Sequence, residues 1–174
     1  LNAAAQHLLE RDQPALANLL VSDLGEAAGS LQLVGGQMDD ILNEGKAMTS
    51  ETLAAINCRK TGALIATACA MGARIGGANE EQLSKIKQFG ACLGEAFQVI
   101  DDILDATASE NQTGKSSGRA QANMKTTLVS LIGLEKARGK AKELTEQAHL
   151  LLEQSNTNTD FLTTLIRSME TRTH

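Results

Sequence analysis

Aromatic side chains are nearly absent from this sequence of 174 residues, which contains three Phe and neither Trp nor Tyr. Proteins that bind single-stranded nucleic acid commonly stack the bases on aromatic rings, and duplex binding needs clustered basic charge. The formal net charge of this chain is −5. The composition therefore argues against a nucleic-acid-binding function.

Proline and long hydrophobic runs are also scarce. Proline occurs once, at Pro14, whereas Ala and Leu are abundant, and this balance favours helices. The uncharged run over residues 61–73 contains 13 residues, fewer than the roughly 18 to 20 that a membrane-spanning helix requires. We therefore expect an all-α protein of one domain without a membrane span.

Cysteine and histidine are too few and too scattered for a disulfide framework or a zinc site. Each occurs three times, and an odd number of cysteines without paired spacing is typical of a reducing compartment, so we expect a cytoplasmic protein. Cys92 lies in an apolar stretch without a neighbouring His, and we interpret it as a core thiol. The residues concerned are Cys58, Cys69, Cys92, His7, His149 and His174.

Three aspartates lie within residues 94–105, in an otherwise apolar helical stretch. From residue 86 to residue 104, apolar residues and one glycine recur at intervals of three and four, which predicts one buried helix face. Gln98, Asp101 and Asp105 share a second stripe on the same helix, and Asp102 lies about 100° round the helix axis from Asp101. The predicted buried stripe consists of Ile86, Gly90, Leu93, Phe97, Ile100 and Leu104.

Carboxylates crowded into about one and a half helical turns repel one another unless a cation lies between them. A small set of oxygen ligands suits Mg²⁺, which keeps several waters and shares its coordination shell with a substrate phosphate. Asp101, Asp102 and Asp105 are therefore candidate Mg²⁺ ligands. Asp101 and Asp105 should dominate because they share a helix face. A solvated acidic helix face is the alternative interpretation.

Basic residues near glycines accompany the acids at three points of the chain, namely Lys60, Lys115 and Lys125. Glycine permits close approach of the backbone to a ligand, and cations suit a phosphate-rich anion. Taken singly, each lysine is more simply explained as a solvated surface residue. Together with the aspartates, the lysines indicate a site for a metal ion and a diphosphate.

Residues 97–105 (FQVIDDILD) resemble the second aspartate-rich motif of the trans-isoprenyl diphosphate synthases. This polyprenyl synthetase family includes farnesyl and geranylgeranyl diphosphate synthases. Further segments resemble family motifs in the same order and at similar spacing, so the resemblance covers essentially the whole chain. These segments are residues 34–37 with Asp40, residues 60–65, 114–118, 125–127 and 131–135.

The resemblance implies an all-α, isoprenoid-synthase-type helical bundle around a central cavity. It also implies a Mg²⁺-dependent prenyltransferase that condenses isopentenyl diphosphate with an allylic diphosphate, giving a short-chain product such as farnesyl or geranylgeranyl diphosphate. In such enzymes metal ions and lysines draw off the diphosphate, the isopentenyl double bond attacks the allylic cation, and a proton is lost. The implied assembly is a homodimer.

The resemblance also assigns roles to numbered residues. Thr61 and Gln98 would lie near the reacting tail and the cation. The implied catalytic residues are Lys60, Thr61, Gln98 and Asp101; the implied diphosphate-binding residues are Lys60, Lys115 and Lys125; the implied metal ligands are Asp101, Asp102 and Asp105.

The sequence departs from the family pattern at several points, and two of these departures bear directly on the implied site. The family's first aspartate-rich motif has no counterpart, because no third Asp follows Asp39 and Asp40 at the required spacing. We therefore expect residues 1–174 to be the C-terminal part of a single polyprenyl synthetase domain, with the N-terminal helices missing, and to be inactive alone. In addition, Ala120 stands where the family usually has Asp, which weakens one end of the implied site.

Two other functions fit parts of the pattern. A non-catalytic regulatory or interaction subunit of a prenyl synthase would also lack the first motif, and would bind Mg²⁺ and diphosphate weakly. A metal-dependent terpene cyclase shares the aspartate chemistry. The cyclase is disfavoured because its cation needs an aromatic-lined cavity, and this chain has neither Trp nor Tyr.

Overall fold

The computed structural model describes residues 2–112 and 126–171, and every regular element within these ranges is helical. This confirms the predicted all-α fold. A π-helical segment, Cys58–Gly62, joins the fourth and fifth α-helices. The α-helices of the described ranges are α1 (Asn2–Glu10), α2 (Pro14–Ala28), α3 (Leu33–Leu42), α4 (Ser50–Asn57), α5 (Ala63–Ile75), α6 (Glu80–Gln112), α7 (Leu128–Ile132), α8 (Leu134–Gln154) and α9 (Asp160–Glu170).

Local sequence signals account for several helix starts. Pro14 occupies the first turn of α2, where its missing N–H costs no intrahelical hydrogen bond. The hydroxyl of Thr49 accepts a hydrogen bond from the Thr52 N–H at 3.2 Å and caps α4. Thr127 and Ser130 form a reciprocal capping box at the start of α7. A proline in the first turn and a hydroxyl residue at the cap are both helix-start signals that the sequence carries.

The long helix α6 forms the centre of the core, with α5 and α8 packed against it. Its buried face is wider than one stripe, because two neighbouring helices each cover part of its surface. Phe89, Ile103 and Leu144 are among the most deeply buried side chains. The prediction that Phe97 belongs to the core is wrong: 41% of Phe97 is exposed, while its neighbour Ala96 is buried.

A close backbone contact ties α6 to the π-helical segment. A Cβ atom placed on Gly94 would lie 2.7 Å from the Cα of Gly62, so only glycine fits at position 94 without a shift of the backbone. The contact lies two helical turns before the first of the clustered aspartates. It therefore fixes the distance between the aspartates and the π-helical segment.

No helix in the part of the chain that the structure describes has the length and apolar character needed to cross a membrane.

Candidate active site

The π-helical segment carries Arg59, Lys60 and Thr61 in its middle. A π-helical turn is rare and often marks a functional position. It displaces these three residues from the register that a continuous α-helix would give them. The residue types of this segment carry no signal of the change in register.

Helix α3 packs against the π-helical segment through a glycine. A Cβ on Gly36 would lie 2.5 Å from the Lys60 backbone nitrogen, so the absence of a side chain at Gly36 allows the two backbones to touch. This approach brings the acidic end of α3 beside Arg59 and Lys60. Gly36 therefore allows α3 to pack closely against the π-helical segment.

Two ion pairs join α3 to the π-helical segment. Lys60 Nζ donates to Asp40 Oδ2 at 2.6 Å, with 27% and 18% of the two side chains exposed. Arg59 pairs with Asp39 in the same way, and its Nε also donates to the carbonyl oxygen of Leu31 at 3.0 Å. Lys60 thus points toward α3, where a carboxylate holds its ammonium group.

Asp40 received no role from sequence reasoning, although it lies beside a predicted site residue. The sequence did offer one signal: Asp40, together with residues 34–37, resembles a family motif. Its pairing with Lys60 joins residues 20 positions apart, and a helical period carries no information about such a pair.

The side chains of Asp101 and Asp105 are both exposed and lie four residues apart on α6. Among the described residues, no group of three or more Asp, Glu, His or Cys side chains is arranged to hold a metal ion. Two carboxylates on one face nevertheless fit Mg²⁺, which commonly binds one or two carboxylates and takes its other ligands from water and substrate phosphate. From Gly94 to Asp101 the axial rise along α6 is about 10 Å, so the acids lie about two helical turns from the contact with the π-helical segment.

Asp102 lies apart from the other two aspartates, because only 4% of it is exposed. Its Oδ1 accepts a hydrogen bond from Gln98 Nε2 at 3.2 Å, and its Oδ2 accepts one from the Leu128 N–H at 2.7 Å. The structure therefore brings Asp102 together with Gln98 and with the start of α7.

Gln98 lines a cavity of about 330 Å³ between α4, α6, α7 and α8. Leu53, Leu128 and Lys140 also line this cavity. The amide thus lies at a surface that is partly apolar and partly polar. Lys115, Lys125 and Ala120 lie outside the described residues.

Burial raises the pKa of the Cys92 thiol, and the nearby Glu95 carboxylate adds to the shift. Burial also raises the pKa of Cys69. A thiol with a raised pKa carries little thiolate at neutral pH, and the thiolate is the nucleophilic form. These shifts agree with the interpretation of Cys92 as a core thiol.

The fold and this geometry define a class of all-α proteins in which a carboxylate-bearing helix packs on a lysine-bearing segment. A sequence model of the polyprenyl synthetase family matches residues 2–168. The chain therefore belongs to the polyprenyl synthetase family, which confirms the resemblance seen in its motifs.

Curated relatives support this membership. The chain is 42% identical over 130 residues to a chloroplastic geranylgeranyl pyrophosphate synthase of Catharanthus roseus, covering 74% of this chain and 36% of the relative. It is 40% identical over 136 residues to the heterodimeric geranylgeranyl pyrophosphate synthase large subunit 2 of Arabidopsis thaliana, covering 76% of this chain and 36% of that subunit. The chain thus spans about a third of the length of these relatives. Because some of these relatives are named as chloroplastic, the cytoplasmic location stays a prediction.

Solved structures show the same fold. A putative farnesyl-diphosphate synthase from Marinomonas sp. MED121 superposes with a TM-score of 0.77 at 33% identity, covering 91% of this chain and 54% of that one. Geranyltransferase from Helicobacter pylori, complexed with magnesium and isoprenyl diphosphate, superposes with a TM-score of 0.71 at 28% identity. That match covers 89% of this chain and 51% of the other.

Proposed function

We propose that this chain supplies part of the active site of a Mg²⁺-dependent prenyltransferase that condenses isopentenyl diphosphate with an allylic diphosphate. The product would be a short-chain prenyl diphosphate of the farnesyl or geranylgeranyl type. One observation carries the proposal: the contact between Gly62 and Gly94 holds the lysine-bearing π-helical segment at a fixed distance from the exposed aspartates of α6. The synthase names of the matched relatives support it.

Asp101 and Asp105 are the residues proposed to hold Mg²⁺, since both are exposed on one face of α6. Bound Mg²⁺ neutralises the charge that develops on the departing diphosphate. The use of Mg²⁺ is supported by the solved relative that contains magnesium and isoprenyl diphosphate. Asp102, the middle aspartate of the motif, is buried.

Lys60 is proposed to bind the allylic diphosphate. Its ammonium group lies on Asp40, so a more highly charged diphosphate competes with one carboxylate for the same donor. Asp40 holds the flexible lysine side chain near the site before the substrate arrives, which reduces the entropy lost on binding. Lys115 and Lys125 stay proposals that rest on the resemblance.

Thr61 and Gln98 are proposed to face the reacting part of the allylic substrate. During the reaction the allylic carbon–oxygen bond breaks, a carbon–carbon bond forms to isopentenyl diphosphate, and a proton leaves. An amide or hydroxyl oxygen beside the allylic carbon stabilises the positive charge while the apolar surroundings exclude water. The half-buried position of Gln98 beside apolar residues supports this role.

A homodimer is the proposed assembly. Helix α3 and the turn before it carry apolar side chains that are more than one third exposed, and such a contiguous patch commonly marks a protein interface. These residues are Leu31, Val34, Met38, Ile41 and Leu42. The synthase names of the relatives favour a catalytic role over the alternative of a regulatory subunit.

A Mg²⁺-dependent condensation assay tests the proposed function. The longest expressed form of the protein and residues 1–174 alone are each supplied with isopentenyl diphosphate and geranyl diphosphate, with and without Mg²⁺. We expect prenyl diphosphate product from the longest form, dependent on Mg²⁺. Absence of product from that form with dimethylallyl, geranyl and farnesyl diphosphates alike would contradict the proposal.

A further inference from the structure

The three aspartates of α6 have two different environments. Asp101 and Asp105 are exposed, whereas Asp102 is 4% exposed and lies in the interface of α6 with α7. A hydrated Mg²⁺ needs room for its remaining waters. The buried position of Asp102 therefore fits a contact inside the protein better than a ligand shared with the exposed pair.

One oxygen of Asp102 determines the orientation of the Gln98 amide. A carboxylate only accepts hydrogen bonds, so the atom of Gln98 that meets Asp102 Oδ1 at 3.2 Å must be the NH₂ group. The carbonyl oxygen of the amide then faces away from the carboxylate. The partially negative carbonyl oxygen of Gln98 is thereby directed away from Asp102, and in this orientation it can stabilise a nearby cation.

The other oxygen of Asp102 anchors the start of α7 to α6. Leu128 is the first residue of α7, and its N–H has no acceptor within that helix. Asp102 Oδ2 accepts from this N–H at 2.7 Å, a short, charge-assisted hydrogen bond between residues 26 positions apart. Thr127 and Ser130 cap the same turn, so the start of α7 is held from within and from α6.

We propose that Asp102 is a positioning residue, which orients the Gln98 amide and anchors the start of α7 on α6, rather than a Mg²⁺ ligand. The anchoring part stands on the geometry alone. The effect on catalysis rests on the proposed function, since it requires Gln98 to face the allylic cation. The two parts are therefore tested by different measurements.

The substitution Asp102→Asn separates the two contacts. The Leu128 bond is the shorter one, so the single oxygen of Asn stays on Leu128 and its NH₂ group turns toward Gln98. Two NH₂ groups cannot bond to each other, so the Gln98 amide must rotate and turn its carbonyl oxygen toward the substituted residue. The substitution Asp102→Ala removes the hydrogen bonds to Gln98 and to Leu128 together.

Steady-state kinetics of the longest expressed form test the orientation of Gln98. For Asp102→Asn we expect kcat to fall by about 100-fold, with KM for the allylic diphosphate and the Mg²⁺ concentration at half-saturation each changed by about twofold or less. In a Gln98→Ala background, Asp102→Asn should cause no further loss of kcat, because both substitutions act through one amide. Asp101→Asn is the matched comparison, and should raise the half-saturating Mg²⁺ concentration about tenfold or more.

Hydrogen exchange without Mg²⁺ or substrate tests the anchor by itself. We expect the Leu128 amide to exchange about tenfold faster in Asp102→Ala than in the unsubstituted protein, and to change little in Asp102→Asn. The overall melting temperature reports whether each variant is folded. If Asp102→Ala unfolds, Asp102→Leu, which has a similar branched shape and accepts no hydrogen bond, takes its place and should show the same increase of about tenfold. Unchanged Leu128 exchange in that folded variant would likewise contradict the anchor.

The proposal is overturned if Asp102→Asn raises the half-saturating Mg²⁺ concentration as much as Asp101→Asn, or if its loss of kcat adds fully to that of Gln98→Ala. It is also overturned if Leu128 exchange is unchanged in a folded Asp102→Ala variant. A protein without Mg²⁺-dependent turnover would contradict the proposed function instead, and the exchange measurement would still decide the anchor.

Discussion

The π-helical segment and α6 touch through Gly62 and Gly94, about two helical turns before the aspartates, and the two regions hold their charged side chains in different ways. On the π-helical segment, Lys60 is already paired with a carboxylate of α3. On α6, Asp101 and Asp105 extend into solvent while Asp102 is used inside the protein. The cationic side of the site is thus organised by contacts within the chain, whereas under the proposed function a bound Mg²⁺ would organise the exposed acidic side.

This difference has a physical basis. A half-exposed lysine and carboxylate gain modest Coulomb energy, but the pairing limits the freedom of a long side chain. Two exposed carboxylates of like charge have no such partner in each other, and a divalent cation relieves their repulsion. Substitutions on each side and at their contact should therefore have distinct effects.

The largest effect is expected from Asp101→Ala on the acidic side. Loss of one proposed Mg²⁺ ligand removes charge stabilisation from the transition state, so kcat should fall by about 100- to 1000-fold. Steady-state assays over a range of Mg²⁺ concentrations measure this. Glu81→Gln, an exposed acid at the other end of α6, is the matched control and should leave kcat unchanged; an active Asp101→Ala enzyme would contradict the assigned site.

The contact between the two regions is tested by Gly94→Ala. The added methyl group would lie 2.7 Å from Gly62 Cα, so the helices must separate, and the free energy of unfolding should fall by about 1–3 kcal/mol. Urea denaturation measures the change. Gly72→Ala is the control, because nothing lies within 4 Å of its added Cβ; helix propensity should make this variant about 0.5–1 kcal/mol more stable. Equal effects of the two substitutions would argue against the close contact.

A smaller effect is expected from Asp40→Asn on the cationic side. The ion pair with Lys60 is partly exposed, so the free energy of unfolding should change by no more than about 1 kcal/mol. Because Lys60 loses the group that holds it, kcat/KM for the allylic diphosphate should fall about tenfold. A matched Asp39→Asn variant, which removes the partner of Arg59, should lower kcat/KM less; the reverse order would show that Arg59 is the more important cation.

The smallest effect concerns the reactivity of one thiol in each region. Cys58 begins the π-helical segment and is exposed, whereas burial raises the pKa of Cys92 on α6. The thiolate is the reacting form, so iodoacetamide at pH 8 should modify Cys58 first in the folded protein. The rate at Cys92 should rise as the pH rises toward its elevated pKa. Mass spectrometry of peptides resolves the sites, and urea-unfolded protein, in which the two rates should converge, is the control.

Much of the fold was predictable because local chemistry determines where helices form. Pro14 and Thr49 mark helix starts in the sequence, and the structure places α2 and α4 there. The apolar period identified Ile86, Leu93 and Ile100 as core residues. The prediction for Phe97 was wrong because a helical period shows which residues share a face, but not how many neighbours cover that face.

The site was predictable to a lesser extent. Sequence reasoning selected Lys60 and the three aspartates as a set from their residue types and spacing. The helical angle of Asp102 predicts a weaker metal contact than at Asp101 and Asp105, but it does not predict the burial of Asp102, and no signal in the sequence pairs Asp40 with Lys60. Asp40 and Asp102 are held by partners that lie 20 or more residues away in the chain.

The sequence by itself determined the all-α class, the principal helix starts, the stripe shared by Asp101 and Asp105, and the family to which these motifs belong. These properties follow from helical period, capping chemistry and residue type, which act over a few residues. Only the tertiary structure decided the π-helical register of Lys60, its pairing with Asp40 and the burial of Asp102. Those features depend on which helices meet and how closely, and the close approaches at Gly36 and Gly94 set that distance.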